Sequence, residues 1–114
     1  MVTVRSLPTL RVYPGPDATV AVLGGEIDFV AAKELRKDVD RLIASKPKAL
    51  LLDLFAVDFL DSSGIAMLLR IQRAVAGDGS GSVTVGAASR AAWRTFELCG
   101  LLELFGMEPS SGAA

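Results

Sequence analysis

The run Leu50-Leu51-Leu52-Asp53-Leu54 constrains the fold of this chain more than any other segment. It is short, apolar at both parities, and bounded by polar residues, as expected of a strand buried on both faces in a parallel sheet. A strand of that kind needs neighbours, and the flanking segments supply them. Upstream, Leu10 to Tyr13 and Thr19 to Leu23 are β-rich and separated by Pro14-Gly15-Pro16-Asp17, which predicts an antiparallel hairpin ended by Gly24-Gly25. Val30 to Ala44 has helical spacing, with Leu35, Val39, Leu42 and Ile43 on one face and Pro47 beyond its end.

Downstream, a loop from Phe55 to Asp61 leads to a helix from Ser63 to about Ala76. After Gly77-Asp78-Gly79-Ser80-Gly81, Val83 and Val85 alternate as a further strand. Ser89 is placed to cap a helix from Arg90 to Cys99, with Trp93 and Phe96 inward and Gly100 as its stop. Leu101 to Phe105 is either a short last strand or an apolar clasp. The alternation predicts an α/β domain with a mixed, mostly parallel sheet of four to five strands, right-handed crossovers and flanking helices. At 114 residues, half of them apolar, the chain has room for one core and not two. No internal repeat is present.

Several kinds of chemistry are excluded. Histidine is absent and there is a single cysteine, so an ordinary zinc site cannot be assembled, and the commonest general base is missing. The net charge is -1 and the cations are scattered, unlike the clustered basic face of a nucleic-acid binder. Gly77 to Ser82 precedes a strand and so does not fit a dinucleotide fingerprint, and no Gly-Lys-Ser/Thr phosphate loop occurs. A two-component receiver would need an acidic pair after the first strand and a late lysine, but lysine ends at Lys48. Asp53 is therefore read as structural, and the chain as a non-enzyme without cofactor or metal. No signal-peptide pattern opens it, and its longest apolar stretch is far below the roughly 18 residues of a membrane span. A cytoplasmic protein is expected, with Cys99 buried and inert.

Functional groups in open sheets gather beyond the carboxyl ends of the strands. Two segments qualify: Gly25-Glu26-Ile27-Asp28, and Asp58-Phe59-Leu60-Asp61-Ser62-Ser63-Gly64. If their strands are neighbours, the segments converge. Helix capping alone would account for Asp61, Ser62 or Ser63, and Asp28 reads equally as an N-cap or a site neighbour. Yet one cap suffices, and three candidates stand in a row. The surplus leaves a hydroxyl where a phosphate would meet unpaired N–H groups and the positive helix end, with Gly64 allowing close approach.

These two segments resemble the two signatures of the STAS family, the anti-sigma-factor antagonists. Leu50 to Leu54 is similar to the family's central strand, and Phe96-Glu97-Leu98-Cys99-Gly100-Leu101 to its closing stretch, in matching order from about residue 9 to 106. The resemblance implies a STAS domain over residues 1–108; the terminal residues 109–114 are expected to be a disordered tail. It implies Ser62 as phosphate acceptor, with Glu26, Asp28, Asp58, Asp61, Ser63 and Gly64 around it. It further implies two partners, an anti-sigma factor that is a serine kinase and a serine phosphatase, with phosphorylation switching binding off. A STAS module of a transporter, a lipid-trafficking ABC system or a stress-sensing complex is the alternative, and a homodimer is compatible with the sequence. One departure is Ala66, where the family often has a second glycine.

Overall fold

The computed structural model describes residues 5–108, so the expected tail at 109–114 lies outside the described residues. Four strands form one sheet in the order β1-β2-β3-β4: β1 (Thr9–Tyr13), β2 (Thr19–Ile27), β3 (Ala49–Leu60) and β4 (Ser82–Ala88). β1 is antiparallel to β2, while β2, β3 and β4 run parallel. The helices are α1 (Phe29–Glu34), α2 (Arg36–Ala44), α3 (Ser62–Ala76) and α4 (Arg90–Leu98). This is the expected α/β domain, with a four-stranded sheet.

One face of the sheet carries the core. Ala21, Leu23, Leu50, Leu52, Leu54, Val83 and Val85 are buried there, together with Val39 and Leu42 of α2, Leu68 and Ile71 of α3, and Ala92 and Phe96 of α4. The alternate residues Val20, Val22, Leu51 and Asp53 are only half-buried, and Thr84 is exposed. β3 is thus not sealed on both sides, as its apolar run suggested. Leucine at an odd position reports apolar character, not the presence of a covering layer.

Both strands that carry the site run farther than propensity predicts. β2 continues through Gly24-Gly25 to Ile27, and β3 replaces the expected loop from Phe55 with strand up to Leu60. Register shifts between Val22 and Gly24, and between Gly25 and Glu26, let the pairs Gly25–Val57, Glu26–Phe59 and Ile27–Leu60 form. Lateral pairing inside a sheet overrides the local bias of glycine. The helix expected over Val30–Ala44 is broken at Leu35, whose ψ of 0° closes α1 and opens α2 while its side chain stays in the core.

The C-terminal segment is a clasp. Leu101 N–H donates to the Phe96 carbonyl (2.9 Å) and Gly100 N–H to that of Glu97 (3.0 Å), with Gly100 at φ +69°, a Schellman turn that ends α4. Phe105 is buried edge-on against Phe96, 4.9 Å between ring centres, and its carbonyl accepts from Val85 N–H at the β4 edge. The turn folds Leu101 back and leaves Cys99 in solvent, so the expected buried thiol is exposed. Trp93 packs against the core but is half-buried.

Candidate functional site

Pairing of Ile27 with Leu60 brings the starts of α1 and α3 side by side, and the two segments do converge. Asp61 N–H donates to the Ile27 carbonyl (3.4 Å), joining the turns directly. Gly64 completes the join. A Cβ there would lie 2.5 Å from the Ile27 carbonyl oxygen and 2.5 Å from Leu60 Cδ1, so only a bare backbone fits. Its buried position serves helix-to-strand contact, not the approach of an anion.

Asp61 is the N-cap of α3. Its Oδ1 accepts from Ser63 N–H (2.9 Å) and Gly64 N–H (3.0 Å). Two of the open amides expected to greet a phosphate are therefore already partnered. Ser62, the first residue of the helix, is exposed, and its hydroxyl makes no hydrogen bond among the described residues. Ser63 is half-buried and contributes its N–H to the cap. Beside it, a groove of about 250 Å³ runs between α1–α2 and α3, with Ala32, Val39 and Met67 in its walls, Arg36 and Arg70 at its edge and Ala66 facing it. Arg70 is paired with Asp40.

Asp28 caps α1 in the same way, accepting from Ala31 N–H at 2.9 Å. It also accepts from Arg5 Nη2 at 2.8 Å. These bonds, the Ala31 amide first and the Arg5 guanidinium second, hold its carboxyl below the usual carboxylate range despite some desolvation. Arg5 is raised in turn, chiefly by the Asp28 bond, against the opposing effect of burial. It reaches two further carboxylates, Glu26 (Nε to Oε2, 3.7 Å) and Glu34 (Nη1 to Oε1, 3.8 Å). Ser6 fastens the same segment: its hydroxyl donates to Asp58 Oδ2 (2.6 Å), its amide approaches Glu26 Oε1 (3.5 Å), and its carbonyl accepts from Glu26 N–H. Gly25 makes room for this strap. At φ +81°, a Cβ would sit 2.1 Å from the Leu7 carbonyl oxygen.

The structure thus separates residues that the sequence grouped. Asp61, Ser62, Ser63 and Gly64 form one turn, whereas Glu26, Asp28 and Asp58 are occupied by Arg5 and Ser6. Sequence reasoning missed those last two. The available signal was an excess of carboxylate at Glu26, Asp28 and Glu34 with no assigned counter-charge. Around the paired turns Phe29, Val30 and Phe59 remain 55%, 50% and 48% exposed, an apolar rim on an otherwise polar end. Lys33 lies 4.7 Å above the Phe29 ring. Among the described residues no cluster of His, Cys, Asp and Glu could hold a metal, and no helix is long and apolar enough to cross a membrane.

A family model described as the STAS domain matches residues 8–114. The chain belongs to the STAS family. Its fold is similar to the crystal structure of an anti-sigma factor antagonist from Mycobacterium paratuberculosis, at TM-score 0.77 and 32% identity, covering 93% of this chain and 89% of that one. It also resembles the anti-sigma factor antagonist SpoIIAA in its unphosphorylated form, with TM-score 0.67 and 18% identity over 92% of each chain, a likeness of fold. By sequence, 60 residues are 38% identical to the anti-sigma-F factor antagonist RsfB of Mycobacterium tuberculosis, spanning 53% of this chain and 49% of RsfB. The match thus spans about half the length of that curated relative.

Proposed function

We propose that this STAS protein is an anti-sigma factor antagonist whose binding is controlled by phosphorylation of Ser62. In its unmodified form it engages an anti-sigma factor that is also a serine kinase, and the sigma factor is freed. Phosphate on Ser62 ends the engagement, and a serine phosphatase restores it. The protein acts as ligand and substrate, not as catalyst. The observation that carries this reading is that Asp61 does all the capping of α3, which leaves the adjacent Ser62 hydroxyl exposed and unengaged. The likeness to antagonists from two mycobacteria supports the same partner class.

Physical chemistry supports the direction of the switch. The apolar rim of Phe29, Val30 and Phe59 and the groove beside Ala66 are what a partner would desolvate. A phosphoserine adds about -1.5 to -2 charges next to Ser63, which lines that groove. With Asp61 holding the Ser63 and Gly64 amides, those two donors do not compensate the new charge. Docking would then require stripping water from a dianion, and a penalty of about 3 kcal/mol weakens an interface roughly a hundredfold.

Intact-mass spectrometry after incubation with the cognate anti-sigma factor and ATP tests the proposal. The expected result is one added phosphate mapping to Ser62, absent in Ser62→Ala, which binds the partner constitutively. Phosphate on Ser63 or Thr84 would sink the site assignment, as would undiminished binding of the modified protein.

A further inference from the structure

The sheet face opposite the helices lies outside the site just described. In register across it, Tyr13, Val20 and Leu51 make one row and Arg11, Val22 and Asp53 the next. Paired residues project to the same side of a sheet, and these alternate with the fully buried positions of the core. Arg11 and Tyr13 are exposed, while Val20, Val22, Leu51 and Asp53 are half-buried, with no helix or strand among the described residues laid over them.

The two charges are the informative pair. Asp53 Oδ1 accepts from Phe55 N–H (3.0 Å), but among the described residues no cation pairs with Asp53 and no carboxylate with Arg11. They stand on either side of β2, about 10 Å apart at ordinary strand spacing, and do not pair with each other within the chain. A row reading plus, apolar, minus is self-complementary under one rotation: a two-fold axis lying in the interface and parallel to β2.

We infer that this open face pairs with the same face of a second copy, Arg11 of each chain meeting Asp53 of the other across a Val22–Val22 centre. The same rotation sets Val20 on Val20 and Tyr13 on Leu51. Aligned sheets pack about 10 Å apart, a gap that an extended Arg and an Asp together bridge. The interface is isologous and closes at two copies. Its three-strand footprint is smaller than the faces of obligate dimers, so the association is reversible and concentration-dependent. The Ser62 turn lies at the strand ends, away from this face, so each copy keeps its switch accessible. The inference does not depend on phosphorylation or on the partner proposed above.

Sedimentation velocity on the full chain, from ~1 μM to ~1 mM, reads the equilibrium directly. The expected result is a monomer–dimer transition within that range. Arg11→Glu and Asp53→Arg should each weaken it by about tenfold or more, and the double exchange should recover most of the loss, because the charge pair is restored in reverse. Arg11 lies exposed on the edge strand, so Arg11→Glu still reads the interface should Asp53→Arg lose its native circular dichroism. A parent chain that stays monomeric throughout would overturn the inference, as would single variants that associate like the parent or a folded double variant without recovery. Tighter association of Asp53→Ala would also overturn it, by identifying the carboxylate as a guard against sheet stacking.

Discussion

The two strand-to-helix turns of this domain are built from nearly the same part and finished differently. Asp28 and Asp61 both cap a helix from extended backbone, at φ, ψ of -113°, -166° and -108°, -171°. At the first turn a guanidinium and a strap hydroxyl tie down the surrounding carboxylates. At the second, the residue after the cap is exposed among the described residues. Equivalent local chemistry can therefore serve an anchored turn or an available one, and the neighbours brought by the tertiary fold decide which.

The largest expected effect comes from forcing the two turns apart. Gly64→Ala drives a methyl group into the Ile27 carbonyl and Leu60, and overpacking of that kind costs about 1–3 kcal/mol. At ~4–8 °C per kcal/mol for a domain near this size, the melting temperature should fall by several degrees at least. A Gly64→Ala protein that melts like the parent would mean the turns are not in contact as described.

Next comes the cap of the available turn. Asp61→Ala removes the acceptor for two amides and should cost about 1–2 kcal/mol, while Asp61→Asn should recover most of it, as chemical denaturation would reveal. Equal losses for Asn and Ala would show that the charge matters more than the bond geometry.

The anchored turn predicts acid sensitivity. Asp28 titrates below its ordinary value in the folded chain, so the unfolded chain takes up its proton first as pH falls. Its contribution to stability is complete above the ordinary carboxylate range, and is lost as pH falls from there through the lowered folded value. Thermal melts from pH 6 downward should show a shallower decline for Asp28→Asn than for the parent, and Arg5→Gln should move the Asp28 titration back toward normal by NMR. If Arg5→Gln leaves that titration unmoved, the ion pair is not formed in solution.

The smallest effect belongs to Ser62. With no hydrogen bond to lose, Ser62→Ala should change unfolding free energy by less than about 0.5 kcal/mol. A larger loss would mean that the serine shares the capping and is not spare.

Much of this was legible in the chain. The periods of Val30–Ala44 and Ser63–Ala76, the turn at Pro14–Asp17 and the cap at Ser89 each have a local cause, and the elements stand close to where those causes put them. That one of Asp61, Ser62 and Ser63 would cap α3 and leave a hydroxyl spare was legible, because capping needs one residue and the sequence offers several. What escaped was non-local. Gly24-Gly25 is strand because β3 pairs beside it, and Cys99 is exposed because Leu101 folds back beneath a Schellman turn. Arg5 is a site residue because Gly25 lets a distant segment cross it. No window of neighbouring residues carries that information.

The grip of Asp61 on the Ser63 and Gly64 amides has a consequence for erasing a mark. Had those donors been vacant, an ester at Ser62 would nestle among them, shielded from the water that must cut it. If Ser62 is the phosphate acceptor proposed above, the ester would instead lie exposed, and an incoming hydrolase could reach it without opening the helix.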